Sequence, residues 1–412
     1  MQLSVIIINF NVKYFLEQCL LSVIKAMKNI NGEIIVIDNN SDDDSFLFFQ
    51  NSFSEVHFIW NKTNQGFAKA NNQALKIARG DNVLFLNPDT IVPEDCFEKC
   101  IAFINQNNCA LGIKMLDGSG NFLKESKRAF PSPTTSLFKL FGLAKLFPKS
   151  KVFGKYHLGY LSENENHEVD VLAGAFMMIP KNILNTVGSF DEDFFMYGED
   201  IDLSFRIQKA GFKNFYYSES CIIHFKGEST KKGTLNYVKM FYKAMSIFVE
   251  KHYGSNRSWL FSFSIHVAIF IRASFSAIAR LLKLKSVKQN KAEAEPGTSV
   301  IAGSLHEYKD VTELLNQAGI KEKLLLRMDP AGFQNLDETL STDSPENIYS
   351  NKDIKKIIFC EGTLSFRDII EAMPIIPKYI SIQLFSNGCH AIIGSDDRNV
   401  AGNFILKSEE SA

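Results

Sequence analysis

The sequence predicts an α/β chain whose first half is built on a mostly parallel sheet, and three observations predict it. Short apolar runs rich in Val and Ile recur at 3–8, 34–37, 56–59 and 83–86, as in strands buried on both faces. Helix-length segments, 14–27 and 67–79, lie between them at the spacing of βαβ crossovers. Polar clusters follow the strands directly, Asn9 with Asn11, then 38–41, then 87–90. In open parallel sheets ligands bind at the C-terminal strand ends, so three strand ends are expected to supply one cleft.

The remaining elements follow in order. Past Phe130 the periodicity gives way to a long loop and a basic, apolar stretch, and α/β signals return from 169 to 215. Residues 286–298 (SVKQNKAEAEPGT) have almost no apolar content and include Pro and Gly, which predicts a linker. Beyond it SVIAGS, KLLLRM, IKKIIFCEG, YISIQLF and HAIIGS alternate with helical segments at 308–317 and 366–373. The expected organisation is therefore a first domain over 1–253, an amphipathic helix over 254–285, the linker, a small Rossmann-like α/β domain over 299–407, and a disordered tail, 408–412.

Length and composition narrow the class. A chain of 412 residues exceeds what one hydrophobic core usually organises, which agrees with two domains. Its 45 Lys and Arg balance 46 Asp and Glu, so no global field marks nucleic acid as a partner. The seven cysteines form no CxxC pair and no Cys/His metal spacing, and read as buried thiols of a reducing compartment. The N-terminus enters an apolar run with no basic n-region, which points to the cytoplasm.

Several segments can carry chemistry. Asp38 closes the strand EIIVID and opens the turn NNSDDDS, which by itself fits a helix cap equally well. NQGFAKANNQAL places Gly66 before a helix whose first N–H groups favour a phosphate. Asn87-Pro88-Asp89-Thr90 ends a strand with a stiffened turn and a projecting carboxylate. The most informative segment is GSFDEDFFMYGEDIDLSFRIQKAGF, which sets Asp191, Glu192, Asp193, Glu199, Asp200 and Asp202 among aromatic side chains. Apolar walls raise a carboxyl pKa, as a general base near neutral pH requires, and a helix N-terminus would favour Glu199, Asp200 and Asp202 as anions. His224 follows a strand-like run, where a lone His is ordinarily structural.

Taken in order, IIINFN, VIDNNSDD, NQGFAKANNQAL, LNPDT, GAFMMIP, FDEDFFMYGEDIDLSFR and IIHFKGEST resemble the inverting family 2 glycosyltransferases of GT-A fold, in their bacterial rhamnosyltransferase-like branch. The resemblance covers 1–253 and implies sugar transfer from a UDP- or dTDP-sugar to an acceptor hydroxyl. It implies that Asp38 contacts the donor base, that Asn64 and Gly66 line the nucleotide pocket, and that Asn9, Asn40, Asn72 and Asn87 complete the donor side. It further implies Asp89 and His224 as ligands of a divalent metal, Mg2+ or Mn2+, Asp200 as the base with Glu199 beside it, and an acceptor side of Gly174, Ala175, Tyr197 and Arg206. The usual D-x-D metal motif reads Asn87-Pro88-Asp89 here, one carboxylate instead of two, which leaves the choice of ion open.

Two acid-free stretches suggest an anionic membrane surface as a partner. From Ser126 to Ser162 lie Lys127, Arg128, Lys139, Lys145, Lys149, Lys151 and Lys155, with Lys139, Gly142, Lys145 and Lys149 forming a polar stripe opposite Phe138, Leu140, Phe141 and Leu143. From Tyr253 to Lys291 the pattern recurs, and Ser262, His266, Arg272, Ser276, Arg280 and Lys283 share one arc of a helical wheel. Arg272 near the middle would cost about 2.5–3.5 kcal/mol in a bilayer, so an interfacial helix is expected, with packing on the protein as the alternative. The expected acceptor is accordingly a glycan or lipid-linked precursor of a cell-surface polysaccharide, at the inner face of the membrane. The rivals are a noncatalytic sugar-nucleotide-binding subunit and a sugar nucleotidyltransferase, which would need a Gly-rich loop that IIINFNVKYF lacks. Oligomeric state is not encoded by any of these motifs.

Overall fold

The computed structural model describes residues 1–132, 134–135, 138, 142–225, 235–254, 298–320, 324–328, 353–395 and 402–406. The expected amphipathic helix from 255 onward, the linker up to 297, Lys139 and the tail lie outside them.

The chain opens with β1 (Leu3–Asn9), α1 (Lys13–Ala26), β2 (Gly32–Asp38), α2 (Ser45–Phe49), β3 (Val56–Trp60), α3 (Phe67–Leu75), β4 (Asn82–Leu86) and the short β5 (Thr90–Ile91). There follow α4 (Cys96–Asn107), β6 (Ala110–Leu116), α5 (Leu143–Leu146), β7 (His167–Glu168), β8 (Phe176–Pro180), α6 (Lys181–Val187), α7 (Glu199–Lys209), β9 (Asn214–His224) and α8 (Leu235–Tyr253). Strands order β3-β2-β1-β4-β8-β6-β9-β5, with β7 on β9. The four Val/Ile runs pair in parallel as expected, whereas β8 enters antiparallel between β4 and β6.

Period-2 alternation explains why these runs are apolar throughout. Leu3, Val5 and Ile7 pack under α1 and α4, while Ile6 and Ile8 join Ile35, Ile37 and the α3 alanines on the other face. Fully burying each such side chain contributes about 1.5–3 kcal/mol. α3 is shorter than the 67–79 expected, because Arg79 leaves the helical path to place its backbone N–H and guanidinium on Glu33.

The second sheet consists of β10 (Thr298–Ala302), α9 (Leu305–Gln317), β11 (Leu324–Met328), β12 (Ile354–Glu361), α10 (Phe366–Ala372), β13 (Ser381–Ser386), β14 (Ala391–Gly394) and β15 (Asn403–Leu406). Its order is β11-β10-β12-β13-β14-β15, parallel through β13 and antiparallel after it. β15 was not among the expected runs, since NFIL is short and polar-flanked.

This sheet packs on the first through one apolar cluster containing Val12, Phe15, Ile91, Leu116, Ile223 and Phe225 with Val300, Phe359, Phe366, Met373 and Ile393. Buried polar groups at the seam are paired, as burial demands. The Gln18 amide donates to the Ala391 carbonyl (3.1 Å) and accepts from Ser386 Oγ (2.5 Å), Glu17 takes His390 N and Nδ1, and the Lys25 ammonium meets Glu361.

The basic stretch divides in a way the sequence did not show. Lys127 is buried with its ammonium on the Leu161 carbonyl, and Arg128 points at Asp200. Of the helical stripe expected around 138–149, residues 139–141 lie outside the described residues; from Gly142, at φ +74°, a helix runs only over α5, Leu143–Leu146, and does not reach Lys149. Among the described residues no helix is long and apolar enough to cross a membrane.

Candidate active site

A cleft of about 270 Å³ opens at the C-terminal ends of β1, β2 and β4, where parallel strands deliver their loops. Its walls include Asn39, Asn64, Asn87, Asp89, Arg128, Gly174, Ala175, Tyr197, Glu199, Asp200 and His224.

One wall is an asparagine network. Asn39 donates to Asn64 Oδ1 (3.0 Å) and to the Gly66 carbonyl (3.2 Å), and its own Oδ1 accepts from Gln65 N (2.9 Å). Gly66 sits at φ +80°, and a Cβ there would come within 2.6 Å of the Phe195 carbonyl oxygen. That oxygen accepts from Phe67 N (2.8 Å), so the glycine lets the start of α3 dock on the acidic loop. Asp38 lies behind this wall, buried, and accepts from Asn9 Nδ2 (2.7 Å), Ser41 N (2.9 Å) and Ser41 Oγ (2.7 Å). Three of a carboxylate's roughly four acceptor sites are thus taken. Asn9 Oδ1 is buried without a partner.

At the floor, Asp89 and His224 meet. β5 pairs with the end of β9, setting Thr90 opposite His224 and bringing Asp89 Oδ1 to 3.3 Å from His224 Nε2. Both residues are buried, and Asn87 Nδ2 lies 3.2 Å from the same imidazole nitrogen. Among the described residues no group of three or more His, Cys, Asp or Glu side chains gathers as a metal cluster. One carboxylate and one imidazole are donor types that would suit a divalent cation also bound by oxygen ligands from substrate or water.

The opposite wall carries two adjacent carboxyls at the N-terminus of α7. Gly198, at φ +85°, caps the helix and lets Glu199 and Asp200 face the cleft. Arg128 Nη2 donates to Asp200 Oδ2 (2.5 Å) and to the Leu172 carbonyl (2.6 Å), and Gly174 N reaches the same Asp200 oxygen at 3.3 Å. Glu199 has no such cation of its own. Burial, reinforced by the neighbouring Asp200 charge, pushes its carboxyl up to about 8, and its Oε2 is buried without a partner. The two carboxyls therefore differ at neutral pH, Asp200 paired with a guanidinium and Glu199 largely protonated.

Three of the expected site residues take other places. Asn40 is exposed in the turn after β2 at φ +67° and does not line the cleft, while its neighbour Asn39 does. Alternation could have shown this, since Asn39 continues the Ile35–Ile37 face toward α3. Asn72 clamps the acidic loop, bonding both N and O of Phe190 and the Glu192 carboxylate. Arg206 is spent on Asp202, the Val187 carbonyl and the Ser189 carbonyl, so it braces α7. Arg128 was missed as a site residue because nothing in KRAFPSP separates an inward Arg from a surface one.

Residues 4–186 match the family model described as Glycosyl transferase family 2. Among curated relatives, the "Low-salt glycan biosynthesis hexosyltransferase Agl10" of Haloferax volcanii is 28% identical over 212 residues, 50% of this chain and 62% of that protein. "Rhamnosyltransferase WbbL" of Escherichia coli is 29% identical over 219 residues, 49% of this chain and 77% of that one. The "N-acetylglucosaminyl-diphospho-decaprenol L-rhamnosyltransferase" of Mycobacterium tuberculosis is 29% identical over 152 residues, 35% of this chain and 49% of that one. The match thus spans about half of this chain and, for the first and third, less than two thirds of the relative.

Proposed function

We propose that this chain, which carries a glycosyl transferase family 2 domain over residues 4–186, transfers a sugar from a UDP- or dTDP-sugar to an acceptor hydroxyl with inversion at the anomeric carbon. The observation that carries the reading is the placement of the Asp89–His224 pair and the Arg128–Asp200 pair on the walls of one cleft.

The asparagine wall of Asn39 and Asn64 and the turn holding Asp38 receive the nucleotide. Asp89 and His224 are the residues that would hold Mg2+ or Mn2+ against the donor diphosphate. Such a cation, when bound, supplies Lewis-acid stabilisation of the departing phosphate charge. Asp200 takes the acceptor hydroxyl's proton while that oxygen forms its bond to the anomeric carbon. The bond from that carbon to the diphosphate oxygen breaks with its electron pair, and a single displacement inverts configuration. Arg128 holds and orients the Asp200 carboxylate between turnovers. Glu199, protonated near neutral pH, lowers the negative charge beside the approaching diphosphate.

Gly174, Ala175 and Tyr197 border Asp200 on the side where an acceptor enters. The printed name of the mycobacterial relative supports a lipid-linked acceptor, and that name and the basic stretch together support a peripheral position on the inner face of the cell membrane.

The test is thermal stabilisation by UDP and by dTDP, each with and without Mn2+ or Mg2+, since a ligand that binds only the folded state raises its melting temperature. Metal-dependent stabilisation by one nucleotide is expected, lost in Asp89→Asn. No shift under any metal would overturn the donor site. Asp200→Asn should abolish turnover and keep the nucleotide response, whereas unchanged turnover would remove Asp200 as the base.

A further inference from the structure

The loop between Gly142 and Ser162 has its polarity reversed. Leu146, Phe147 and Val152 are 70%, 52% and 58% exposed, although buried neighbours lie close by in sequence. Exposed Lys145, Lys149, Lys151 and Lys155 alternate with them along the loop, and among the described residues no carboxylate pairs with any of the four. Isolated exposed apolar residues need no explanation, but three on one short loop interleaved with a single sign of charge do.

The loop is built, not loose. Phe153 packs edge-on against Phe138 (centroids 4.9 Å) and in a tilted contact against Phe147 (5.6 Å). Gly154 and Gly159 let the chain fold over Pro148, whose carbonyl oxygen would lie 2.0 and 2.1 Å from a Cβ at either position. Buried Tyr156 closes the loop by accepting from Ala129 N (2.9 Å), and Lys127 fastens the far end at Leu161. Because Ala129 directly follows Arg128, the loop is joined by one residue to the guanidinium that holds Asp200.

We propose that Leu146, Phe147 and Val152, interleaved with Lys145, Lys149, Lys151 and Lys155, form a docking surface for an anionic lipid bilayer. Apolar side chains that enter the acyl boundary, surrounded by ammonium groups at headgroup level, are the two components of interfacial binding. Charge complementarity calls for an anionic partner, and exposed apolar side chains interleaved with ammonium groups along one loop match the acyl and headgroup layers of a bilayer. Docking here would hold at the membrane the loop that Tyr156 and Ala129 join to Arg128, where a lipid-linked hydroxyl would arrive. The inference deepens the transferase reading and rests on it only for the acceptor.

The experiment is co-sedimentation of the full chain with phosphatidylcholine vesicles with and without phosphatidylglycerol, alongside the nucleotide melting assay. Wild type should bind the anionic vesicles in a salt-sensitive way. Leu146→Ser/Phe147→Ser should weaken that binding about tenfold or more. Lys149→Ala/Lys151→Ala should do so by roughly fivefold per lysine on anionic vesicles, with no effect on neutral ones. All four positions are exposed, so the nucleotide response should stay that of wild type. Wild-type vesicle binding by either double variant, or no binding by the wild type, overturns the proposal. So does a change in sedimentation coefficient on mutation without vesicles, which would make the patch a contact between copies. Vesicle binding without any nucleotide response sinks the transferase reading and leaves this one standing.

Discussion

Glu199→Gln isolates the most unusual electrostatic feature of the cleft. The carboxyl is buried beside Asp200 and is pushed up from 4.5 to about 8. A group whose folded pKa is raised stabilises the fold fully below its unfolded value, and that contribution is lost as pH rises through the folded value. For Glu199 the window runs from about 4.5 to about 8. At pH 7 the unfolded chain gains by ionising, which lowers stability by about 3 kcal/mol at 1.36 kcal/mol per unit, an order-of-magnitude figure. Gln mimics the protonated acid and does not titrate. Glu199→Gln should therefore melt higher than wild type at pH 7–8, and the difference should vanish near pH 4.5. Thermal scans across that range are the assay. A lower melting temperature at pH 7.5, or a pH-independent difference, would refute the assignment of a neutral buried acid. Turnover gives a second reading, because a group already protonated should tolerate the amide far better than Asp200 tolerates Asn. If Glu199→Gln is as dead as Asp200→Asn, Glu199 is the base.

Gly66→Ala should lose nucleotide-induced stabilisation, since φ +80° and a 2.6 Å approach to the Phe195 oxygen leave no room for a Cβ; an unchanged nucleotide melt would show that α3 need not touch the acidic loop. Arg128→Met should cut kcat at least a hundredfold and cost about 3–5 kcal/mol of stability, as leaving half of a buried ion pair does; equal stability by denaturant titration would argue that Asp200 is solvated instead. In the second sheet, burial works to raise the Glu307 carboxyl, but bonds from Thr363 Oγ, Ser304 N and Thr363 N together hold it below the ordinary carboxylate range. Its contribution is present above the unfolded value near 4.5 and is lost as pH falls through the folded one. Glu307→Gln should therefore destabilise by about 1–3 kcal/mol at pH 7, with the gap to wild type closing in acid; a gap that stays constant with pH would contradict the pairing.

The positions of the strand ends were legible because burial on both faces forces a continuous Val/Ile run, and the residue after such a run must lie at the sheet edge. Asn9, Asp38 and Asp89 could be placed there from sequence for that reason alone. What each side chain meets there was not legible, because partners arrive from elements distant in sequence. Arg128 reaches Asp200 across 72 positions, and Asn72 reaches Phe190 across 118. Arg206 shows the converse: it is close to Asp200 in sequence, yet its guanidinium is engaged by three local acceptors.

The second sheet extends the lesson to an apparent ligand crevice. Strand order reverses between β10 and β12, the topological switch point where such sheets bind phosphates, and the start of α9 lies there. Yet Glu307 already occupies the cradle, taking Ser304 N (2.6 Å), Thr363 N (2.9 Å) and Thr363 Oγ1 (2.7 Å). Its oxygens also lie 2.8 and 2.4 Å from where a Cβ of Gly303 or Gly362 would sit, so the glycines that would admit a phosphate admit this carboxylate instead. An anion supplied by the chain itself satisfies the same N–H groups that a nucleotide would need, and the sheet is left to act through the face it packs against α1. There Glu17, Gln18 and Lys25 are each bound to it, so its polar contacts include the helix that follows Asn9.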